Sequence, residues 1–252
     1  MAGTDITHRV FGDLRLALGL LTRLPLPGEV DLTRGAAASW AWPVAGLAVA
    51  LAGGIGIWLT SALPVGLSAA AGLAVMILVT GAMHEDGLAD TADGLWGGWD
   101  RARRLEIMKD SRIGTYGVIA LILSLLARWS LLVALIGAGA FWPVLVAAAL
   151  LSRVPMVFVM AMLDPARPGG LSRAVGQPPL GAAWGALALA LIPALLLCGG
   201  AAVWAVIGIA LLTLGIAAIA QAKIGGQTGD ILGATQQLAE IAALAVLTAA
   251  VT

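Results

Sequence analysis

Seven stretches of roughly 20 mostly apolar residues confine this chain to one kind of fold, because each is long enough to cross a bilayer as a helix. They fall at about 40–62, 64–83, 115–137, 139–163, 180–199, 201–220 and 231–251. In hydrocarbon every backbone N–H and C=O must be satisfied within the chain, which leaves helices as the spanning elements. Only 11% of the 252 residues are charged and 60% are hydrophobic, against about 25% charged in a soluble domain. The expectation is therefore an all-α polytopic membrane helical bundle of about seven transmembrane helices, forming one membrane-embedded domain over residues 1–252 without a soluble appendage. Pro64, Gly137, Gly139, Pro143 and the pair Gly199-Gly200 mark the short turns between spans.

The amino terminus reads differently. Residues 10–27 form an apolar run that carries Arg15 and ends in two prolines, the pattern of an interfacial helix lying on the membrane. Asp5, Arg9, Asp13, Arg15 and Arg23 break any apolar core that a cleavable signal peptide would need. Connections near residues 63, 138 and 200 hold no Lys or Arg. The opposite side collects Arg9, Arg15, Arg23, Arg34, the cluster 101–112, Arg167, Arg173 and Lys223. The positive-inside rule then puts the amino terminus and those loops in the cytoplasm. Zero net charge gives no reason to expect a nucleic-acid partner, and Cys198 alone cannot make a thiolate metal site. Arg128, Arg153 and Glu240 fall inside spans, where a bare charge costs at least ~2.5 kcal/mol, so they should face the bundle and find partners. Arg153, in the cytoplasmic half, is also expected to help line the site.

Against this background, residues 84–117 are a polar island, HEDGLADTADGLWGGWDRARRLEIMKDSRIGTYG, with seven of the 14 acidic residues and five of the 14 Lys and Arg. Asp86, Asp90 and Asp93 stand at i, i+4 and i+7, within about 60° of one another on a helix. Such hard oxygen ligands suit Mg²⁺ or Mn²⁺, which take few protein carboxylates and complete their shell with water and phosphate oxygens. His84 and Glu85 point elsewhere on that helix. Arg101, Arg104 and Arg112 follow on a short basic stretch, and guanidinium groups bind phosphate bidentately. Asp110, Ser111, Arg112, Gly114, Thr115, Tyr116 and Gly117 then crowd the entrance of a span. A second polar knot, KIGGQTGDILG at 223–233, offers Lys223, three glycines that permit close backbone approach (Gly225, Gly226 and Gly229), and Asp230, a further ligand or the residue that orients one. Together the island and the knot suit a diphosphate substrate handled with Mg²⁺ at the membrane face. The residues alone do not name the acceptor.

At these positions the chain resembles the cobalamin synthase family, the adenosylcobinamide-GDP ribazoletransferases. The matching pieces are LTRLPLP at 21–27, WPVAG at 42–46, HEDGLADTADG at 84–94, LEIMKDSRIGTYG at 105–117 and GGQTGDILGA at 225–234. Glu85 stands where relatives often carry an apolar residue. The resemblance implies a bacterial inner-membrane enzyme that joins adenosylcobinamide-GDP to α-ribazole or its 5′-phosphate with Mg²⁺ and releases GMP. It implies Asp86, Asp90 and Asp93 as metal ligands and Asp110 as a further ligand or as the base. Phosphate contacts would come from Arg104, Lys109, Arg112 and Lys223, with Arg23 reaching in from the interfacial segment and Ser111 supporting its loop. Trp96 and Trp99 are expected as membrane-edge anchors or as stacking partners for a base. An oligomer is neither required nor excluded.

Two rivals remain at the level of sequence. A CDP-alcohol phosphotransferase or membrane prenyltransferase would need a second acidic pair, and residues 223–251 supply only Asp230 and Glu240. A cation or metabolite transporter would hold its binding groups near the bilayer midplane, whereas most acids here lie toward one membrane face.

Overall fold

The computed structural model describes residues 2–26 and 33–252, with side chains from residue 7 onward. Pro27, which closes the expected interfacial segment, and the side chain of Asp5 lie outside the described residues. The helices are α1 (Ala2–Leu21), α2 (Trp42–Leu59), α3 (Val65–Thr80), α4 (Met83–Gly97), α5 (Arg101–Ile107), α6 (Thr115–Gly137), α7 (Phe141–Met162), α8 (Leu171–Val175), α9 (Leu180–Cys198), α10 (Ala201–Ile224) and α11 (Gly229–Ala249), with a 3₁₀ segment, Gly35–Ala41, leading into α2. Among the described residues there is no strand, only an isolated parallel bridge between Pro165 and Gln227. Six segments are long and apolar enough to cross a membrane, and α3 with α4 makes a seventh only if they count as one span bent by 86°. The chain is a multi-pass membrane protein, and every expected span has its helix. The second is the exception in form: α3 is shorter than foreseen, and the chain turns sharply after it.

That turn is made by two successive left-handed residues, Gly81 (φ 64°) and Ala82 (φ 57°). Ala82 is the one non-glycine with positive φ among the described residues, a conformation that opposes its Cβ and persists only where surrounding structure enforces it. The backbone N–H of Arg23 donates to the Val79 carbonyl at 2.7 Å, and the Arg23 side chain lies where a Cβ on Gly81 would be. The LTRLP segment therefore braces the bend that aims α4.

Two helices form the centre. Some 83% of the α7 apolar window and 72% of the α11 window are buried, against 22% for α6 and α10, so polar groups on α7 and α11 face protein rather than lipid. Alanines make the seams: Ala147, Ala148 and Ala149 of α7 and Ala183, Ala186 and Ala190 of α9 are fully buried, small enough for helices to approach without a solvent-driven force. At the amino terminus α1 is tied to the 3₁₀ segment through buried Asp13, which accepts from Trp40 Nε1 and Arg34 Nη2, each at 2.8 Å. The Arg34 guanidinium, more than the indole, holds the Asp13 carboxyl below the usual range.

Candidate active site

The site begins where α4 crosses the start of α11. A Cβ on Gly87 would sit 3.0 Å from the Asp230 carbonyl and 3.2 Å from Gly233 Cα, so the two backbones pack closely and a side chain here would press them apart. The crossing brings Asp86 and Asp90 of α4 beside Asp230 of α11, and the charges of Asp86, Asp93 and Asp230 all bear on Asp90. Thr228 caps α11, accepting the Ile231 N–H and donating its hydroxyl to Asp230 Oδ2 at 3.1 Å. Among the described residues no donor binds the carboxylate of exposed Asp86 or half-buried Asp90.

The two halves of the island face each other. A cavity of about 470 Å³ has Asp86 and Asp90 on one wall and Lys109, Asp110, Ser111 and Arg112 on the other. Asp110 pairs with Arg112 at 2.8 Å in an exposed contact, and that guanidinium holds the Asp110 carboxyl below the usual range. The Arg23 side chain packs against Gly81 at the α3–α4 bend, and the next residue, Ala82, lines the cavity.

Several expected ligands have other work. Asp93 is buried, and its two oxygens accept the N–H groups of Gly114 at 2.7 Å and Gly117 at 2.9 Å. It caps α6, offering negative charge to a helix N-terminus. Gly114 and Gly117 have no room for a Cβ because that carboxylate fills the space. Of the expected metal face, Asp86 and Asp90 are left without such partners among the described residues, while both Asp93 oxygens are taken up by these N–H groups. Among the described residues no three Asp, Glu, His or Cys side chains converge as a ready-made metal cage.

Arg104 and Lys223, expected as phosphate contacts, are engaged by backbone carbonyls. Arg104 donates to the carbonyls of Gly98, Lys223 and Trp99. Lys223 donates to the Leu95 carbonyl at 2.7 Å and lies 4.5 Å over the Trp96 ring. Both lash α4 and α5 to the end of α10, because helix C-termini leave carbonyls that a nearby cation satisfies. Gly225 is the left-handed C-cap of α10 (φ 70°). Gly226 abuts the Asp164 carbonyl, where Gln227 N–H donates to Asp164 O and Ala166 N–H to Gln227 O at 2.9 and 2.8 Å. Those two glycines serve packing, while Gly229 has open space around it. Trp96 and Trp99 are both exposed.

Sequence reasoning missed two features. The first is Glu85 as the fourth member of an ionic network deep in the bundle, where the expected pairing of Arg128, Arg153 and Glu240 is found. Arg128 of α6 binds Glu85 at 2.8 Å and Glu240 at 2.9 Å, and Arg153 of α7 binds Glu240 at 2.9 Å. Gln236 and Gln237 add hydrogen bonds to both carboxylates. Arg153 is therefore a partner of Glu240 and does not line the cavity. The sequence showed three lone charges in spans, but the fourth, Glu85, was hidden by the polar residues that follow it. The second feature is Arg167, in the loop after α7, whose Nη2 pairs with Asp230 at 3.1 Å. Its signals were its place among the bases of the cytoplasmic side and in DPARPGG, a polar, Pro- and Gly-rich loop between apolar spans.

The donor chemistry present fits Mg²⁺. Asp86 and Asp90 offer unengaged hard oxygens and Asp230 a third nearby, and this ion draws its remaining ligands from water and phosphate.

The cobalamin-5-phosphate synthase family model matches residues 13–248. Similar proteins called adenosylcobinamide-GDP ribazoletransferase occur in Bradyrhizobium diazoefficiens, 46% identical over 98% of this chain and 97% of the relative, and in Mesorhizobium japonicum, 46% identical over 96% and 95%. Another, from Rhizobium meliloti, is 42% identical over 97% and 98%. No solved structure matches. With nearly its whole length matched, the chain belongs to the cobalamin-5-phosphate synthase family.

Proposed function

We propose that this protein is an adenosylcobinamide-GDP ribazoletransferase, joining adenosylcobinamide-GDP to α-ribazole or α-ribazole 5′-phosphate and releasing GMP. The observation that carries the chemistry is the cavity whose walls are Asp86 and Asp90 on one side and the Lys109–Arg112 arm on the other. A ribose hydroxyl attacks the phosphorus on the cobinamide side of the diphosphate. The new P–O bond makes the phosphodiester, the bond to the GMP oxygen breaks, and the hydroxyl proton passes to a base. Asp110, on the cavity wall, is the proposed acceptor of that proton, and Lys109 and Arg112 on the same wall, with Arg23 at the nearby α3–α4 bend, are the proposed phosphate contacts. Asp86, Asp90 and Asp230 would hold Mg²⁺. When bound, that ion neutralises phosphate oxygens and the charge growing on the leaving GMP. Ser111 supports the arm. The site faces the cytoplasm of a bacterial inner membrane, with the amino terminus on that side and α1 along the interface, as the one-sided Lys and Arg distribution supports.

The purified protein, given adenosylcobinamide-GDP, α-ribazole and Mg²⁺, is expected to release GMP in step with cobalamin formation and to stop on chelation. Absence of GMP from a protein of verified fold rules out the assignment. Uptake of either substrate into proteoliposomes without GMP release would favour the transporter instead.

A further inference from the structure

We propose that Arg167 is the resident cation of the carboxylate cluster: it holds Asp230 while the site is empty, yields it to a divalent cation, and then takes a phosphate oxygen of the diphosphate substrate. The proposal rests on the transferase assignment only for the identity of that anion.

Three observations carry it. Arg167 is not a surface residue that happens to touch an acid. Its side chain and that of Asp230 are 14% and 16% exposed. The guanidinium lies against Gly170, whose φ of 108° suits glycine, and the preceding residues are stapled in place, with Asp164 and Ala166 bonded to Gln227 and the Ala166 carbonyl accepting from Arg101 Nη2 at 3.0 Å. A long side chain delivered from so fixed a segment has lost much of its entropy before it meets a ligand.

Next, its hydrogen bonding is incomplete. Nη2 serves Asp230, while Nη1 is buried without a hydrogen-bond partner among the described residues. A buried guanidinium N–H left unpaired is costly, and the group is a planar fork matched to two oxygens. A phosphate would complete it.

Finally, the charges are out of balance. Arg167 pairs with Asp230 and its charge also bears on Asp90, while Asp90 feels the charges of Asp86 and Asp230, and Asp230 that of Asp86. One guanidinium cannot neutralise three carboxylates. A divalent cation can displace it from Asp230, which frees the fork within reach of the phosphates that cation attracts.

A structural brace and a resident cation differ in the sign of one measurement. Mn²⁺ binding to the purified protein without substrate is read from loss of the free-ion electron paramagnetic resonance signal. Arg167→Ala should bind Mn²⁺ about tenfold more tightly, because a competing charge beside a ligand is gone. Arg167→Lys keeps that charge and should bind Mn²⁺ as the parent does. With Mn²⁺ saturating, both variants should bind GDP, the diphosphate probe, about tenfold more weakly, because neither has the fork. If Arg167→Ala does not survive purification, Arg167→Gln carries the same expectations. Weaker or unchanged Mn²⁺ binding in a monodisperse, charge-free variant overturns the proposal, as does unchanged GDP binding. Tighter Mn²⁺ binding and weaker GDP binding in a parent protein that releases no GMP would uphold the resident cation and sink the transferase assignment. GMP release with the wrong Mn²⁺ sign would do the reverse.

Discussion

Glu85 and Asp86 are neighbours on α4, yet they belong to two opposite kinds of ionic cluster. Glu85 enters a closed set in which two carboxylates, Glu85 and Glu240, meet two guanidiniums, Arg128 and Arg153. Asp86 enters an open set in which Asp86, Asp90 and Asp230 face one guanidinium, Arg167. The closed set sits between helices in the bundle interior, where an unbalanced charge is intolerable. Of the open set, Asp86 and Asp90 line the cavity, as does Glu85, and a charge deficit persists there because water or a cation can answer it. Balance, more than residue type, separates the cluster that builds the fold from the cluster that is left with chemistry to do.

The largest effect should come from breaking the open set. Asp86→Asn or Asp90→Asn is expected to lower GMP release by about 10³-fold, the loss of several kcal/mol of metal-derived stabilisation. Size-exclusion profile and detergent-solubilised yield should stay as in the parent, because neither side chain bonds to another described residue. Wild-type turnover in both variants would remove this face from the mechanism.

Breaking the closed set should damage the fold before the chemistry. Arg128→Ala leaves Glu85 buried without its guanidinium and should cost about 3–5 kcal/mol, read as a fall in the unfolding midpoint in detergent. Arg128→Met with Glu85→Leu removes one charge of each sign and leaves Glu240 with Arg153. It should regain most of that stability. If the double variant is no more stable than Arg128→Ala, charge balance is not what the closed set provides.

Asp93 lies between the two cases, a carboxylate of the island that serves the fold. Asp93→Ala uncaps α6 and should cost about 1 kcal/mol in the same unfolding measurement. Turnover should fall less than in Asp86→Asn, since α6 and the arm before it lose an anchor while the metal face remains. A loss of turnover equal to that of Asp86→Asn, at unchanged stability, would restore Asp93 to the metal.

The sequence made the spans legible because hydropathy needs no partner: each apolar run carries its own signature. The island was legible for the same reason, as charge where none is expected. What was not legible depends on where side chains end up. Asp93 shares a helix face with Asp86 and Asp90, but periodicity cannot reveal that the N–H groups of Gly114 and Gly117, at the start of α6, fold against its carboxylate. Arg104 and Lys223 read as phosphate ligands because their charge is visible, and the helix-end carbonyls that take them are not. The bend at Gly81 and Ala82 was hidden because alanine carries no sign of a left-handed backbone.

The smallest effect tests the far wall of the open set. Arg112 and Asp110 form an exposed pair, and such pairs add little to stability. If Arg112 is there for the substrate, Arg112→Ala should leave the unfolding midpoint unchanged and raise KM for adenosylcobinamide-GDP by about three- to tenfold, with kcat moving less, as for lost ground-state binding. Arg112→Lys should recover part of that KM, since a point charge still attracts phosphate but cannot grip two oxygens. The contrast with Arg128 is the sharpest form of the comparison: two arginines, each paired to a carboxylate at 2.8 Å. One is expected to act on stability and the other on substrate affinity, because burial differs while the bond length does not.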